Sequence, residues 1–170
     1  MIILGIDPAI RTTGYGVIEA GTGGRFKVID CGVIANSPKL PHSECVRRLH
    51  LGICELVNTF HPECAVLEEP FMGKNAGTAI ILGMARGAIL AALSVNGVPA
   101  YAYAPTVAKR AAVGSGKATK EQIAVMIAAE LGIEIEQIPL DSTDALALAM
   151  RSPSGGAGRT ADSSAEEPPE

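Results

Sequence analysis

Residues 2–34, IILGIDPAIRTTGYGVIEAGTGGRFKVIDCGVI, contain the pattern that decides the fold. Three largely apolar runs, Ile2–Asp7, Gly14–Ala20 and about Phe26–Ile34, predict three strands. GTGG at 21–24 predicts a hairpin connection between the second strand and the third. No helical segment separates the three runs, so we expect the chain to begin with a three-stranded antiparallel meander.

Beyond the meander, helical and strand patterns alternate. Helices are predicted at about Ser43–Thr59 and 76–95, and two further strands at Ala65–Glu68 and Ala100–Tyr103. Three more helices follow: a short one from Pro105 to near Gly114, one from the Thr119–Gln122 capping box to Leu131–Gly132, and one from about Asp141 to Arg151. The order βββαβαβααα predicts an α/β fold, a five-stranded mixed sheet flanked by helices on both faces.

The composition favours one soluble domain. The 170 residues are 48% hydrophobic and 4% aromatic, with no Trp, and this length suits a single sizeable core. Residues 1–151 are predicted to form that domain. Residues 152–170 are rich in Gly, Ser, Pro and acid, so burial there cannot offset the entropy of ordering, and we expect a disordered acidic tail.

Four cysteines, at positions 31, 45, 54 and 64, lack the C-x-x-C spacing of zinc or redox sites. They are interpreted as reduced packing residues in a reducing cytosol. The chain enters its first strand without a basic segment or a small-residue cleavage site, so no export signal is inferred. A cytoplasmic location is expected.

The charge is unevenly distributed. The net charge is −4, but residues 152–170 contribute −3 of it. Residues 70–120 contain no acid and six bases: Lys74, Arg86, Lys109, Arg110, Lys117 and Lys120. A basic sector beside Glu68 and Glu69 suits a surface that handles phosphodiesters.

One segment, Thr78–Val95, is 18 residues long and almost entirely apolar. Arg86 near its centre would cost roughly 2.5–3.5 kcal/mol in a bilayer. A helix that is apolar all round is more simply explained by packing on several sides. We therefore predict a helix packed against its own sheet and no membrane partner. Contact with a second subunit and burial within one subunit both explain its remaining apolar surface.

Carboxylates occupy unusual positions in three segments. Asp7 and Glu68 end apolar strands, while Asp141 and Asp144 stand at i and i+3 in the first turn of an Ala/Leu-rich helix. If the three segments converge, the acids repel one another unless divalent cations neutralise them, and oxygen-only ligands select Mg²⁺ or Mn²⁺. Two such ions, about 3.5–4 Å apart, would clamp the attacking and leaving oxygens of a phosphodiester displacement.

Each acid also has a simpler explanation. Asp141 is equally suited to be a helix N-cap, and Asp144 to be a first-turn acid that favours the helix dipole. Asp7, before Pro8, fits a turn residue, and Glu68 fits a solvated acid at a strand edge. Spacing alone does not show that the three segments meet.

Five blocks of the chain resemble, in the same order, motifs of the RuvC-type Holliday junction resolvases. The blocks are Gly5–Glu19 (GIDPAIRTTGYGVIE), Leu67–Asn75 (LEEPFMGKN), Gly83–Gly87 (GMARG), Lys109–Lys120 with glycines at 114 and 116, and Asp141–Ala147 (DSTDALA). Together they cover about residues 2–150, and five ordered blocks are far more specific than any one of them.

The resemblance implies an RNase H-like fold and a Mg²⁺-dependent crossover junction endodeoxyribonuclease acting in DNA recombination and DNA repair. It implies two Mg²⁺ ions per site, replaceable by Mn²⁺, and paired symmetric nicks that leave 5′-phosphate and 3′-hydroxyl ends. The partners it implies are four-way junction DNA, a second subunit in a homodimer, and a branch-migration motor complex of the RuvA/RuvB type.

The residues that match the family's functional positions divide into two sets. The resemblance implies that the catalytic and metal-binding carboxylates are Asp7, Glu68, Asp141 and Asp144. It implies that the DNA-binding residues are Phe71, Lys74, Lys109 and Lys120. Phe71 would stack against an unpaired base at the junction centre, although a core phenylalanine is the simpler alternative.

One residue departs from the family pattern, because Ala9 replaces the usual glycine two residues after the first acid. Either the turn has an ordinary φ or the site is slightly altered. Three other functions stay open at this point. They are a nuclease of the same fold acting on RNA–DNA hybrids or folded RNA, a junction-binding module without cleavage, and an actin-like or sugar-kinase ATPase.

Overall fold

The computed structural model describes residues 1–69, 75–103, 120–132, 134, 138–150 and 159–160. Its strands are β1 (Ile2–Asp7), β2 (Thr12–Ala20), β3 (Phe26–Ala35), β4 (Cys64–Glu68), β5 (Ala100–Tyr103) and β6 (Arg159–Thr160). Its α-helices are α1 (His42–Phe60), α2 (Ala76–Val95), α3 (Lys120–Leu131) and α4 (Thr143–Ala149). Short 3₁₀ turns occur at Thr22–Gly24 and Leu140–Ser142.

The strands form one mixed sheet in the order β3-β2-β1-β4-β5-β6. β1, β2 and β3 are antiparallel neighbours, which is the predicted meander, and β4 and β5 join as parallel strands after helical crossovers. The predicted five-stranded mixed sheet is therefore confirmed. β6 adds two residues that pair antiparallel with β5 at the sheet edge.

Helices cover both faces of the sheet. One face, called here the α3/α4 face, is packed through Ile3, Ile18, Val66, Ile127 and Leu146. The other, the α1/α2 face, is packed through Leu4, Ile6, Leu67, Ile53 and Ile89. Successive strand residues point to opposite faces, so the apolar runs of β1 and β4 supply both cores.

The C-terminal helical segment lies unusually close to the sheet. A Cβ atom on Gly5 would overlap the carbonyl oxygen of Ala145, and one on Gly14 would overlap that of Asp141. A Cβ atom on Gly16 would come within 2.6 Å of Leu146 Cδ2. Glycine is therefore required at positions 5 and 14, because only a residue without a side chain leaves room for the helical backbone, while at position 16 it leaves room for the Leu146 side chain.

Several predicted elements need correction or lie outside the described residues. The last helix was expected to start near Asp141, but a 3₁₀ turn covers Leu140–Ser142 and the α-helix begins at Thr143. The short helix predicted from Pro105 lies outside the described residues. Within the predicted disordered tail, Arg159–Thr160 is a strand, and disorder elsewhere in the tail stays a prediction.

The four cysteines are free thiols, as predicted from their spacing. Cys45 and Cys64 are buried, and Cys31 and Cys54 are half-buried. Burial raises the pKa of the Cys31 and Cys64 thiols, so both stay protonated and unreactive near neutral pH.

Gly5→Ala is expected to lower the free energy of unfolding by roughly 1–3 kcal/mol, the range typical of overpacking. The new methyl group would meet the Ala145 backbone and lie 2.9 Å from Ala149 Cβ. Gly21→Ala is the control, because its nearest heavy atom, the Arg25 carbonyl oxygen, is 3.5 Å from the added Cβ. That variant should stay within about 0.5 kcal/mol of wild type in urea denaturation. Equal midpoints for the two variants would contradict the close approach.

Candidate active site

Asp7 and Glu68 stand side by side at the carboxyl ends of β1 and β4. These strands are parallel neighbours, and their paired register ends with Ile6 opposite Leu67. Ile3 in β1 and Val66 in β4 both face α3 and α4. Because side chains alternate along a strand, the side chains of Asp7 and Glu68 point to that same α3/α4 face.

Asp141 and Asp144 reach this edge of the sheet from the helical segment. Gly14 is the antiparallel partner of Asp7, and the backbone of Asp141 lies directly against Gly14. Asp144 follows in the first turn of α4, which packs on β1 and β2. The fold thus brings all four predicted acids to one edge and one face of the sheet.

Asp144 does lie in the first turn of α4, as its simpler explanation expects, but the simpler explanations for the other three acids do not fit their positions. Asp141 is not the N-cap of either helical segment, since Pro139 precedes the 3₁₀ turn and Ser142 precedes α4. Asp7 is a paired strand residue rather than part of the turn. Glu68 belongs to an interior strand with β1 on one side and β5 on the other. Asp7, Glu68 and Asp144 are half-buried, and Asp141 is exposed.

The donor set suits a hard divalent cation, because carboxylate oxygens are the ligands that Mg²⁺ and Mn²⁺ prefer. In the described part of the chain, however, no three His, Cys, Asp or Glu side chains are grouped closely enough to hold a metal ion. The acids fit a cation by donor type and by backbone placement.

Two unpaired polar atoms mark the same region. Among the described residues, the buried side-chain nitrogen and oxygen atoms without a hydrogen-bond partner are Arg86 Nη2 and Thr143 Oγ1. Thr143 lies between Asp141 and Asp144, and Arg86 contacts Glu68. Unsatisfied buried polar groups cost roughly 1–3 kcal/mol each, so each of the two calls for an explanation.

Arg86 is buried, whereas the sequence placed it in a basic surface sector. It was counted with the basic surface sector, but only 9% of it is exposed, and its Nη1 donates a hydrogen bond to the Glu68 carbonyl oxygen at 2.6 Å. Burial lowers its pKa, and the nearby charge of Glu69 partly opposes that effect. The available signal was an arginine in the centre of an apolar helix.

The predicted DNA-binding residues are mostly beyond the described part of the structure. Phe71, Lys74 and Lys109 lie outside it, so their roles stay predictions. Lys120 is the first residue of α3, which packs on the same face of the sheet as α4.

The turn at Ala9 has an ordinary backbone. In the described part of the chain, His61 is the one non-glycine residue with a positive φ. Thr13 Oγ1 donates to the Ala9 carbonyl oxygen at 2.6 Å and accepts from the Ala9 N–H at 3.2 Å. The turn beside Asp7 therefore accommodates alanine without a left-handed conformation.

Comparison with known proteins gives concordant matches. The family model described as crossover junction endodeoxyribonuclease RuvC matches residues 3–152. The protein of that name from Chlorobaculum parvum is 44% identical, in a match that covers 94% of this chain and 85% of that protein. The one from Caldicellulosiruptor saccharolyticus is 41% identical, in a match that covers 88% of this chain and 90% of that protein. A structure of T. thermophilus RuvC with Holliday junction substrate superposes with a TM-score of 0.86 at 34% identity, covering 94% and 99% of the two chains. The expected RNase H-like fold is confirmed.

A divalent cation is expected to raise the thermal stability of the protein through these carboxylates. A ligand present at about 100 times its dissociation constant adds roughly 2.7 kcal/mol to the folded state. Differential scanning fluorimetry in EDTA and in Mn²⁺ measures the shift. Asp7→Asn should lose most of it, whereas Glu19→Gln, at the opposite end of the β1–β2 ladder, should keep it. Equal shifts in both variants would place the cation elsewhere.

Proposed function

The chain belongs to the crossover junction endodeoxyribonuclease RuvC family, and from that membership we propose that it resolves Holliday junctions by paired, symmetric nicks. The structural observation that carries the proposal is the convergence of the four carboxylates. Asp7 and Glu68 lie on adjacent strand ends, and Asp141 and Asp144 lie on the segment packed over Gly14. The structure of the T. thermophilus relative with its junction substrate supports the same substrate class. The reaction serves DNA recombination and repair.

The four carboxylates would hold the divalent cations on which the reaction depends. We propose two Mg²⁺ ions, replaceable by Mn²⁺, bound by Asp7, Glu68, Asp141 and Asp144. When bound, such ions provide a Lewis acid for the scissile phosphate and lower the pKa of the attacking water. The proposed products carry 5′-phosphate and 3′-hydroxyl ends.

The protein contributes position and charge. The β1–β4 ladder ends one residue before Asp7 and Glu68 and so brings these two strand ends together, and the contact between Gly14 and Asp141 holds the helical acids near the strand acids. Such prearrangement lowers the entropic cost of reaching the reactive geometry. Lys74, Lys109 and Lys120 are proposed to neutralise phosphates, and Phe71 to stack at the junction centre.

We propose that two subunits associate through the outer face of α2. The helix buries one side, and the opposite side exposes an uncharged stripe made of Ile80, Gly83, Gly87, Ala91 and Ser94. Ile80 is 66% exposed. By length and composition alone α2 is also apolar enough to cross a membrane, a test that the core helices of soluble proteins pass as well. A two-fold pair of sites suits a substrate that is itself nearly two-fold symmetric.

Two further assignments come from the family alone. Partnership with a RuvA/RuvB-type branch-migration motor complex stays a prediction. So does the cytoplasmic location, with which the four free thiols agree.

The protein is expected to cut a synthetic mobile four-way junction in Mg²⁺ by nicking two opposite strands, and to be inactive in EDTA. Asp7→Asn should reduce the cleavage rate roughly 100-fold or more, as expected for losing one group that stabilises transition-state charge. It should still bind the junction, because phosphate contacts supply most of the affinity. Denaturing gels report the nicks, and gel shifts report binding.

Linear duplex, RNA–DNA hybrid and Glu19→Gln protein are the controls for this experiment. Cleavage of the hybrid in preference to the junction would assign the chain to an RNase H-type activity. Junction binding without cleavage in both Mg²⁺ and Mn²⁺ would indicate a non-catalytic binding module.

Ala91→Glu is expected to convert the proposed dimer to a monomer, because it places a charge within the exposed uncharged stripe of α2. Ala129→Glu is the matched control, an exposed alanine on α3, and should stay dimeric. Analytical ultracentrifugation distinguishes the two states. A monomeric wild-type protein, or a dimeric Ala91→Glu variant, would rule out this interface.

A further inference from the structure

Arg86 occupies a costly position for a charged side chain. It is 9% exposed, it is flanked in α2 by the buried alanines Ala85 and Ala88, and its Nη2 has no hydrogen-bond partner among the described residues. A buried charge that lacks full pairing is rarely the most stable solution, and an apolar side chain of similar volume is often as stable or more so. Its presence therefore requires an explanation other than stability.

The hydrogen bond that Arg86 makes within the described part of the chain goes to the backbone of a candidate active-site residue. Nη1 donates to the Glu68 carbonyl oxygen at 2.6 Å, a short distance typical of charge-assisted hydrogen bonds. α2 packs on the α1/α2 face of the sheet, whereas the Glu68 side chain points to the α3/α4 face. Arg86 thus holds Glu68 from behind without occupying the space in front of its carboxylate.

On the side of β1, the strand pairing of β4 stops before Glu68. The β1–β4 register ends with Ile6 opposite Leu67, so Glu68 lies one residue beyond that ladder. The residue after Asp7 is Pro8, which has no backbone N–H with which to extend the pairing. On the other side, Glu68 is still paired with Tyr103 of β5.

We propose that Arg86 is a positioning residue that fixes the end of β4 and so holds the Glu68 carboxylate where it can join the metal-binding set. The inference rests on the proposed function, because it assumes that Glu68 is a ligand. Arginine suits the task for two reasons. Its planar guanidinium makes a directed hydrogen bond, and its permanent charge strengthens that bond to the Glu68 carbonyl oxygen.

The test compares Arg86→Met, Arg86→Lys and a control. Methionine fills much of the same space without a charge or donor, and lysine keeps the charge but loses the planar donor geometry. Arg48→Met is the control, since Arg48 also makes one side-chain hydrogen bond, from Nε to Asn36 Oδ1 at 3.0 Å, but on α1. Mn²⁺ affinity is measured by electron paramagnetic resonance of the free ion, and junction affinity by gel shift in EDTA.

Arg86→Met should weaken Mn²⁺ binding about tenfold, the lower end of the effect expected from losing a partner of a metal ligand. Junction affinity in EDTA should change little, Arg86→Lys should recover part of the Mn²⁺ affinity, and Arg48→Met should match wild type. Wild-type Mn²⁺ affinity in Arg86→Met would overturn the inference. If Arg86→Met does not fold, Arg86→Lys carries the test, and wild-type Mn²⁺ affinity in that variant would overturn the inference.

The two proposals fail separately. A wild-type protein that binds Mn²⁺ but never cuts junctions would count against the proposed function, while the Mn²⁺ titration of Arg86→Met would still test the role of Arg86. Normal junction cleavage by the wild type, together with wild-type Mn²⁺ affinity in Arg86→Met, would overturn the Arg86 inference alone.

Discussion

The direct contact between the C-terminal helical backbone and the sheet is the constraint on which the structure depends. Gly5 and Gly14 leave no side chain between the strands and the backbone of the segment Asp141–Ala149, so the two backbones approach far more closely than ordinary residues permit. The same contact brings the candidate site together, because Gly14 pairs with Asp7 in the sheet and lies against the backbone of Asp141. The close packing of helix on sheet and the approach of Asp141 to Asp7 therefore both require that position 14 has no Cβ atom.

The sheet was largely predictable from sequence because its signals are local. The apolar runs of β1, β4 and β5 and the turn at 21–24 correspond to observed elements with boundaries within two residues. The start of the last helix was harder to predict. A 3₁₀ turn over Leu140–Ser142 precedes α4, and the sequence signals for a capped α-helix and for a 3₁₀ entry are nearly the same.

The candidate acids could be singled out from the sequence, but their convergence could not be predicted from it. Spacing could not show that Asp7, Glu68 and Asp141 converge, because their meeting depends on strand order and on the glycine contacts, which are long-range properties. The position of Arg86 also depends on long-range packing and could not be predicted from the sequence. In the sequence it is one base among six, and only the packing of α2 against β4 shows that it faces the Glu68 carbonyl rather than DNA.

Helix α2 contacts the candidate active site with one side and the proposed subunit interface with the other. Its inner side carries Arg86, which contacts the Glu68 backbone, and its outer side carries the exposed stripe proposed to meet a second subunit. In that dimer each Glu68 would be separated from the interface by the width of a single helix. Helices are stiff and packed interiors deform little, so the distance between the two sites would be set by the interface itself. A junction needs two cuts at related positions, and the proposed dimer would give its two active sites a fixed spacing.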